Sequence, residues 1–194
     1  MTARVLVLAS GSGSVLQALL DSHTRDAIVA IGSDRPSAAA LERAQVVGIE
    51  TFVVDFAAFQ DRTRWSQSLQ GTLERYDPTL IVLAGFMRIL DPTLVQAFSG
   101  RIINTHPALL PAFPGAHAIR DALAAGVRVT GCTVHWVDEG VDTGPIIDQA
   151  AVRVEVNDTE STLHERVKVA ERELLVRVVD RLVNESGEKG IIDG

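Results

Sequence analysis

Cysteine is nearly absent from this sequence of 194 residues. Because Cys132 is the only cysteine, the chain has no partner for an internal disulfide and no multi-cysteine metal site, which fits a reducing compartment. Positive charge is also scarce, since 18 Lys and Arg stand against 25 Asp and Glu, a net charge of −7. A protein that mainly binds nucleic acid needs a basic face, so the composition argues against that class and leaves a local site for a small anion open.

Long apolar runs are missing as well. The N-terminal run, residues 5–9, is too short for a signal sequence and leads into glycines, and no stretch has the length of a transmembrane helix. We therefore expect a cytoplasmic protein without a membrane segment. Hydrophobic residues make up 46% of the chain, enough for the core of one domain. We expect that domain over 1–185, followed by a flexible, glycine-rich tail at 186–194.

Short β-branched runs alternate with helical patterns up to about residue 125. Five strands are predicted, at 4–10, 27–33, 51–55, 79–85 and 101–105. Helices are predicted between them, at 14–22, 37–48, 57–75 and 92–98. The alternation is typical of a doubly wound, mostly parallel α/β sheet.

The pattern changes in the last third of the chain. Runs at 129–137 and 144–155 have no helix between them, which predicts an antiparallel addition to the sheet. An apolar stripe then predicts a long C-terminal helix over about 160–184. Its members are Leu163, Val167, Ala170, Leu174, Val178 and Leu182. The spacing of Thr162 and Glu165 predicts a capping box at its start.

A glycine turn, residues 11–14, joins the first strand to the first helix. Backbone N–H groups at a helix start bind anions when no side chain intervenes. The dinucleotide fingerprint requires a third glycine where Leu16 stands, although an acid, Asp34, follows at a suitable distance. No P-loop lysine follows either. The turn therefore favours a single phosphate, with a simple tight turn as the alternative.

Asn104 and His106 stand together at the end of the fifth strand. Residues two apart point the same way on a strand, and ligand sites of open α/β sheets lie at the carboxyl ends of strands. An amide beside an imidazole can stabilise an oxyanion and move a proton. The alternative interpretation is that His106 has only a structural role. A carboxylate would orient the imidazole, and the residues alone do not say whether it is Asp138, Glu139 or Asp142.

Neither a protein nucleophile nor a metal site accompanies these groups. The sequence has no G-x-S-x-G motif, no H-E-x-x-H motif and no cysteine cluster, and Cys132 lies within a predicted core strand. We place His23 and His164 on helix surfaces or ends, His117 at a helix start and His135 in a strand, as a candidate partner of the site. The substrate must then bring its own nucleophile, which favours direct group transfer between two bound molecules.

Four segments carry a resemblance to a known family. In order and spacing, "VLVLASGSGSVLQAL", "IVLAGFMRIL", "INTHPALLPAFPGAHA" and "DEGVDTGPII" resemble the phosphoribosylglycinamide formyltransferases, folate-dependent enzymes of purine synthesis. The resemblance spans about residues 4–183. It implies a Rossmann-like formyltransferase fold and transfer of the formyl group of 10-formyltetrahydrofolate to the amino group of glycinamide ribonucleotide. It implies neither a metal nor a nicotinamide cofactor.

The resemblance also implies the site residues. The catalytic set is Asn104, His106 and Asp142. Substrate-binding positions are Gly13, Ser14 and Val15 for the phosphate, with Lys168 and Glu171 for the phosphate and ribose. Relatives often carry Asn where Val15 stands, and the expected contact there is through the backbone. The folate pocket is expected from Arg62, Met87, Arg88, Ile89 and Leu90, with Asn104.

Other functions fit less well. Methionyl-tRNA formyltransferase has a further C-terminal domain for tRNA, and formyltetrahydrofolate deformylase has an N-terminal regulatory domain. Leu16 argues against a nicotinamide-dependent oxidoreductase, and the proton-transfer groups argue against a phosphate sensor without catalysis. The expected partners are the ribonucleotide and a folate, with neither nucleic acid nor membrane. The oligomeric state stays open, a homodimer included.

Overall fold

The computed structural model describes residues 3–192, with side chains described for 3–185. One seven-stranded sheet has the order β3-β2-β1-β4-β5-β6-β7. Its strands are β1 (Val5–Leu8), β2 (Ile28–Ser33), β3 (Thr51–Val53), β4 (Leu80–Leu83), β5 (Ile102–His106), β6 (Val129–Trp136) and β7 (Ile146–Arg153). Strands β1 to β5 pair in parallel, whereas β6 and β7 are antiparallel. The predicted fold class is confirmed.

Helices cover both faces of this sheet. They are α1 (Ser14–Leu20), α2 (Ala39–Val46), α3 (Arg62–Tyr76), α4 (Pro92–Ala97), α5 (Ala118–Ala124) and α6 (Glu160–Ile192). Alternate residues of β1 serve two apolar cores: Val5 and Val7 pack with α1 and α6, whereas Leu6 and Leu8 pack with α3 and α4. A strand buried on both faces must be apolar throughout, which explains the continuous runs in the sequence.

The start of α3 and the cap of α6 differ from the predictions. Instead of one helix from residue 57, a short 3-10 turn (Phe56–Ala58) precedes α3, because Asp61 caps that helix by accepting the N–H of Arg64 at 2.9 Å. At α6, Thr159 and Thr162 cap each other: the N–H of Thr159 donates to the Thr162 hydroxyl at 2.9 Å, and the N–H of Thr162 donates back at 3.2 Å. The predicted capping box that began at Thr162 is therefore wrong by one turn.

The apolar stripe of α6 is confirmed, since Leu163, Val167, Leu174 and Val178 are buried against the sheet. Its end differs from the prediction near residue 184, because the backbone is helical to Ile192. The predicted flexible tail thus begins inside α6, and residues 193–194 lie outside the described part. One sheet carries all the described strands, which supports our proposal of a single domain over 1–185.

The order of the strands determines where a ligand site can form. Because β1 lies between β2 and β4, the chain leaves β1 in one direction along the sheet and β4 in the other. Such a reversal opens a crevice at the carboxyl ends of the strands. Within the described residues, no helix combines the length and apolarity needed to cross a bilayer.

Candidate active site

A cleft of about 530 Å³ opens at the carboxyl ends of β1, β4 and β5. Its walls come from the glycine turn after β1, the segment after β4, the end of β5 with the loop after it, the loop between β6 and β7, and one face of α6. The predicted residues on its walls are Gly13, Ser14, Val15, Met87, Arg88, Ile89, Leu90, Asn104, His106, Asp142, Lys168 and Glu171. The fold therefore brings together residues that are far apart in the chain.

The glycine turn forms one end of the cleft. Gly13 has a left-handed backbone with φ of 68°, and a Cβ there would lie 2.8 Å from the Cα of Ala40. Both facts require glycine. No side chain caps α1, so its first backbone N–H groups keep their capacity to bind an anion. Arg43 steadies the turn by donating from Nε to the carbonyl oxygen of Ser12 at 2.8 Å.

His106 and Asp142 form the centre of the cleft. The Nδ1 atom of His106 lies 3.3 Å from Oδ2 of Asp142, and Nε2 lies 2.8 Å from the carbonyl oxygen of Phe113. A carbonyl only accepts, so Nε2 carries a proton in this arrangement. The N–H of Gly115 donates to the same Asp142 oxygen at 2.8 Å, which orients the carboxylate toward the ring.

The Asp142 carboxylate remains ionised in this setting. Burial alone would raise its pKa, but the hydrogen bond from His135, the N–H of Gly115 and the charges of His106 and His135 outweigh that effect and lower the pKa below its usual range. Asp142 is therefore a fixed negative charge beside His106.

Asn104 lies on the other side of Asp142. Its Nδ2 group is 3.3 Å from Nε2 of His135 and 3.5 Å from Oδ1 of Asp142. The Nδ1 atom of His135 lies 2.9 Å from the carbonyl oxygen of Trp136, so that nitrogen carries a proton, and Nε2 also lies 3.6 Å from Oδ1 of Asp142. The antiparallel register, which places Asn104 opposite His135, creates the contact between these two residues. The amide donor is thus held by long bonds and stays able to donate to a ligand.

Residue chemistry left three acids open and the resemblance implied Asp142; the loop between β6 and β7 brings that acid to the histidine. Asp138 turns back into this loop, where it accepts from the N–H of Gly140 at 3.1 Å and the hydroxyl of Thr143 at 2.7 Å. Glu139 accepts a hydrogen bond of 2.7 Å from Nε2 of Gln96, a residue of α4. Of the three acids, Asp142 is the one that contacts His106.

Local backbone geometry explains why this loop reaches the histidine. Asp142 has φ of 56°, a left-handed conformation that Asp tolerates better than most residues. Two residues later, a Cβ at Gly144 would lie 1.8 Å from the carbonyl oxygen of Trp136, so only glycine fits. The D-x-G-P pattern therefore encodes a close return of the chain to β6.

The segment after β4, residues 86–90, forms another part of the cleft wall. Met87 and Ile89 are 70% and 55% exposed, which gives this wall an apolar surface. Arg62 does not line the cleft: its guanidinium donates to the carbonyl oxygens of Ile89 and, at 3.3 Å, Leu90. In this structure Arg62 supports the segment instead of facing the cleft.

Helix α6 contributes polar groups to the cleft. Lys168 lines the cleft and pairs with Glu165 at 2.7 Å. Glu171 is 7% exposed and accepts from the hydroxyl of Thr105 at 2.9 Å. Burial raises its pKa above the usual carboxyl value, against the opposing effects of Thr105 and Lys168. Thr105 faces α6 because it alternates with Asn104 and His106 along β5.

Sequence reasoning missed His164 as a member of the site. We placed it on a helix surface or end, but it is half-buried and lines the cleft four residues before Lys168. Burial, together with the charge of Lys168, lowers its pKa. The signal was available, because residues four apart share one face of a helix. His135, which sequence reasoning named as a candidate partner of the site, contacts Asn104.

Two other chemistries find no support in this cleft. Burial raises the pKa of the Cys132 thiol to about 12, so the reactive thiolate is not formed at neutral pH. Among the described residues, no group of three or more His, Cys, Asp and Glu side chains is placed to hold a metal ion.

Comparison with known proteins agrees with this geometry. The sequence pattern of the family described as Formyl transferase matches residues 3–179. Phosphoribosylglycinamide formyltransferase of Mycobacterium tuberculosis is 51% identical over 93% of this chain and 85% of its own. The trifunctional purine biosynthetic protein adenosine-3 of Bos taurus is 45% identical over 89% of this chain and 17% of its own.

Solved structures show the same relationship. Glycinamide ribonucleotide transformylase 1 of Symbiobacterium toebii superposes with a TM-score of 0.91 at 42% identity, covering 95% of this chain and 89% of its own. The sheet, the cleft and these matches define an α/β group-transfer enzyme. The chain belongs to the formyl transferase family.

Proposed function

We propose that this protein transfers the formyl group of 10-formyltetrahydrofolate to the amino group of glycinamide ribonucleotide, a step of purine biosynthesis. The observation that carries the proposal is the meeting of Asn104, His106 and Asp142 in one cleft that a glycine turn and an apolar wall also line. The names of the relatives from Mycobacterium tuberculosis and Bos taurus support the same activity and pathway. The buried free thiol of Cys132 fits a cytoplasmic setting.

The glycine turn and α6 would bind the ribonucleotide. The N–H groups at the start of α1 suit a phosphate, and Lys168 and His164 line the same cleft. Val15 belongs to the first turn of α1, where a backbone contact needs no particular side chain. Glu171 would accept hydrogen bonds from the ribose hydroxyls.

The segment 86–90 would bind the folate. Its exposed apolar side chains, Met87 and Ile89, suit a flat heteroaromatic ring. The backbone between them offers amide groups, as a segment without regular secondary structure does. Arg62 would then act through the carbonyl groups that it contacts, and Arg88, which lines the cleft, would supply positive charge beside the folate.

The reaction would proceed by direct attack of the amine. The nitrogen of the ribonucleotide forms a bond to the formyl carbon, and the bond from that carbon to the folate nitrogen breaks as the tetrahedral intermediate collapses. Asn104 and the protonated ring of His106 would stabilise the oxyanion, and Asp142 would accept from Nδ1 of that ring. The proton of the attacking nitrogen passes to the departing folate nitrogen, with Asp142 and a water molecule as the relay.

A transfer assay tests the proposal. Purified protein is mixed with 10-formyltetrahydrofolate and glycinamide ribonucleotide, and the absorbance change of the folate follows the reaction. We expect turnover that requires both substrates. Consumption of the folate without the ribonucleotide would instead indicate a hydrolase, and no consumption with both would contradict the proposal.

A further inference from the structure

Asp34 is a buried acid to which the proposed reaction assigns no task. It follows the last residue of β2, and its side chain is fully buried. We propose that Asp34 is a positioning residue for the formyl donor, which acts by holding Arg88 and thereby the segment 86–90. This inference rests on the proposed function, because it takes that segment as the folate side of the cleft.

Only one of the two carboxylate oxygens of Asp34 has a hydrogen-bond partner among the described residues. Its Oδ2 atom lies 2.7 Å from Nε of Arg88 and 3.8 Å from Nε of Arg35, which is half-exposed. Its Oδ1 atom is buried and has no hydrogen-bond partner among the described residues. A buried carboxylate is unfavourable unless a cation compensates it. Arg88 is the cation at hydrogen-bond distance, so the acid constrains where that guanidinium can lie.

Asp34 also places the surface on which Arg88 rests. Its carbonyl oxygen accepts the N–H of Phe56 at 3.1 Å, and the guanidinium of Arg88 lies 4.0 Å from the centre of the Phe56 ring. Phe56 packs edge-on against Trp65, with ring centres 5.2 Å apart. The guanidinium is thus held between a carboxylate and an aromatic face, both anchored through Asp34.

The segment 86–90 needs such anchors because it has no regular secondary structure. Three side chains from other parts of the chain hold it. The hydroxyl of Ser10 accepts the N–H of Met87 at 2.8 Å, Arg62 donates to the carbonyls of Ile89 and Leu90, and Asp34 binds Arg88. Loss of the Asp34 contact frees the middle of the segment, and a ligand that binds there must then order it, which weakens binding.

Substitution of Asp34 by Asn tests this role. Asn removes the negative charge with almost no change of shape. We expect the KM for 10-formyltetrahydrofolate and the Kd for 5-formyltetrahydrofolate to rise about tenfold. This value is at the lower end of the effects that follow the loss of a charge-assisted hydrogen bond. The kcat and the KM for the ribonucleotide should stay within about twofold, since we assign that substrate to the glycine turn and α6 and not to the segment 86–90.

A matched control separates positioning from stability. Asp158 also has a nearly buried side chain, pairs with Arg166 at 2.6 Å and lies outside the cleft. Asp158→Asn should lower the melting temperature without a change of either KM. Arg88→Gln should raise the donor KM, and adding Asp34→Asn to it should raise it little further, because both changes break the same contact.

The outcomes are distinct. A folded Asp34→Asn protein with an unchanged donor KM and an unchanged Kd for 5-formyltetrahydrofolate would overturn the proposal, as would independent, multiplying effects of the Asp34 and Arg88 substitutions. Asp34→Ser provides a second neutral variant if the Asn variant does not fold, and the same results apply to it. If the parent binds 5-formyltetrahydrofolate but transfers no formyl group, the proposed function fails, whereas the Kd comparison still decides the role of Asp34.

Discussion

The imidazole of His106 faces the carboxylate of Asp142 across 3.3 Å, although His106 ends β5 and Asp142 lies in the loop between β6 and β7. Two left-handed residues make this meeting possible: Asp142 itself and Phe113, whose carbonyl lies 2.8 Å from the other ring nitrogen, both with φ of 56°. The ring is therefore held between an ionised carboxylate and a carbonyl, an arrangement suited to a proton-carrying imidazole.

Removal of members of this set should abolish most activity. His106→Ala, Asn104→Ala and Asp142→Ala are each expected to lower kcat by about 100-fold or more, the usual effect of losing an oxyanion donor or an acid–base group. Steady-state assays with both substrates provide the measurement. His23→Ala is the control, since His23 is exposed and lies outside the cleft. A His106→Ala enzyme with near-parental turnover would exclude the proposed chemistry.

Lys168 should affect one substrate only. If it contacts the phosphate, Lys168→Ala removes a charge-assisted contact and raises the KM for the ribonucleotide about ten- to 100-fold, with little change in kcat. Glu165→Gln is the control, because it removes the partner of Lys168 at 2.7 Å and leaves the lysine in place. Unchanged kinetics for both substrates would make Lys168 an ordinary surface charge. A shift of the folate KM alone would mean that the two ligands are assigned to the wrong ends.

Ligand specificity can be tested without catalysis. NADH and NADPH should produce no fluorescence change on titration, because Leu16 stands where the dinucleotide fingerprint needs glycine. A folate such as 5-formyltetrahydrofolate should raise the melting temperature, since a ligand that binds only the folded state stabilises it. Tight NADH binding without folate binding would support the oxidoreductase alternative.

Glu171 should lower the stability of the protein at neutral pH. Its pKa is raised by burial, so as pH increases from about 4 the unfolded chain loses this proton before the folded one does. The free energy of unfolding therefore decreases as pH rises through the folded pKa. Glu171→Gln, which resembles the protonated acid, should be more stable than the parent at pH 7, and the difference should shrink toward pH 4.

Urea denaturation of both proteins at the two pH values measures this effect. The same variant should bind the ribonucleotide more weakly, because the acceptor for the ribose hydroxyls has lost its charge. A Gln variant that is less stable than the parent at pH 7 by as much as at pH 4 would show that the carboxylate is compensated in the folded state.

Much of the fold could be predicted from local patterns. The parallel strands were recognised because they are buried on both faces and apolar throughout, and the stripe of α6 because helical neighbours recur every three to four residues. The ends of elements were harder. Thr159, not Thr162, caps α6, and Asp61 caps α3 so that this helix starts later than predicted. Helix ends depend on such side-chain hydrogen bonds, whereas the propensities of neighbouring residues differ little.

The candidate site divides in the same way. That Asn104 and His106 point to one side followed from the sequence alone, because strand geometry repeats every two residues. Which acid joins them was implied by the family resemblance and did not follow from residue chemistry, because Asp138, Glu139 and Asp142 are chemically alike and differ only in the path of one loop. Likewise, the burial of Asp34 against Arg88 and the place of His164 in the cleft were decided when distant segments packed together. Local periodicity depends on neighbouring residues and can be recognised in the sequence. Which partner a charged side chain contacts depends on the tertiary packing that excludes water from both.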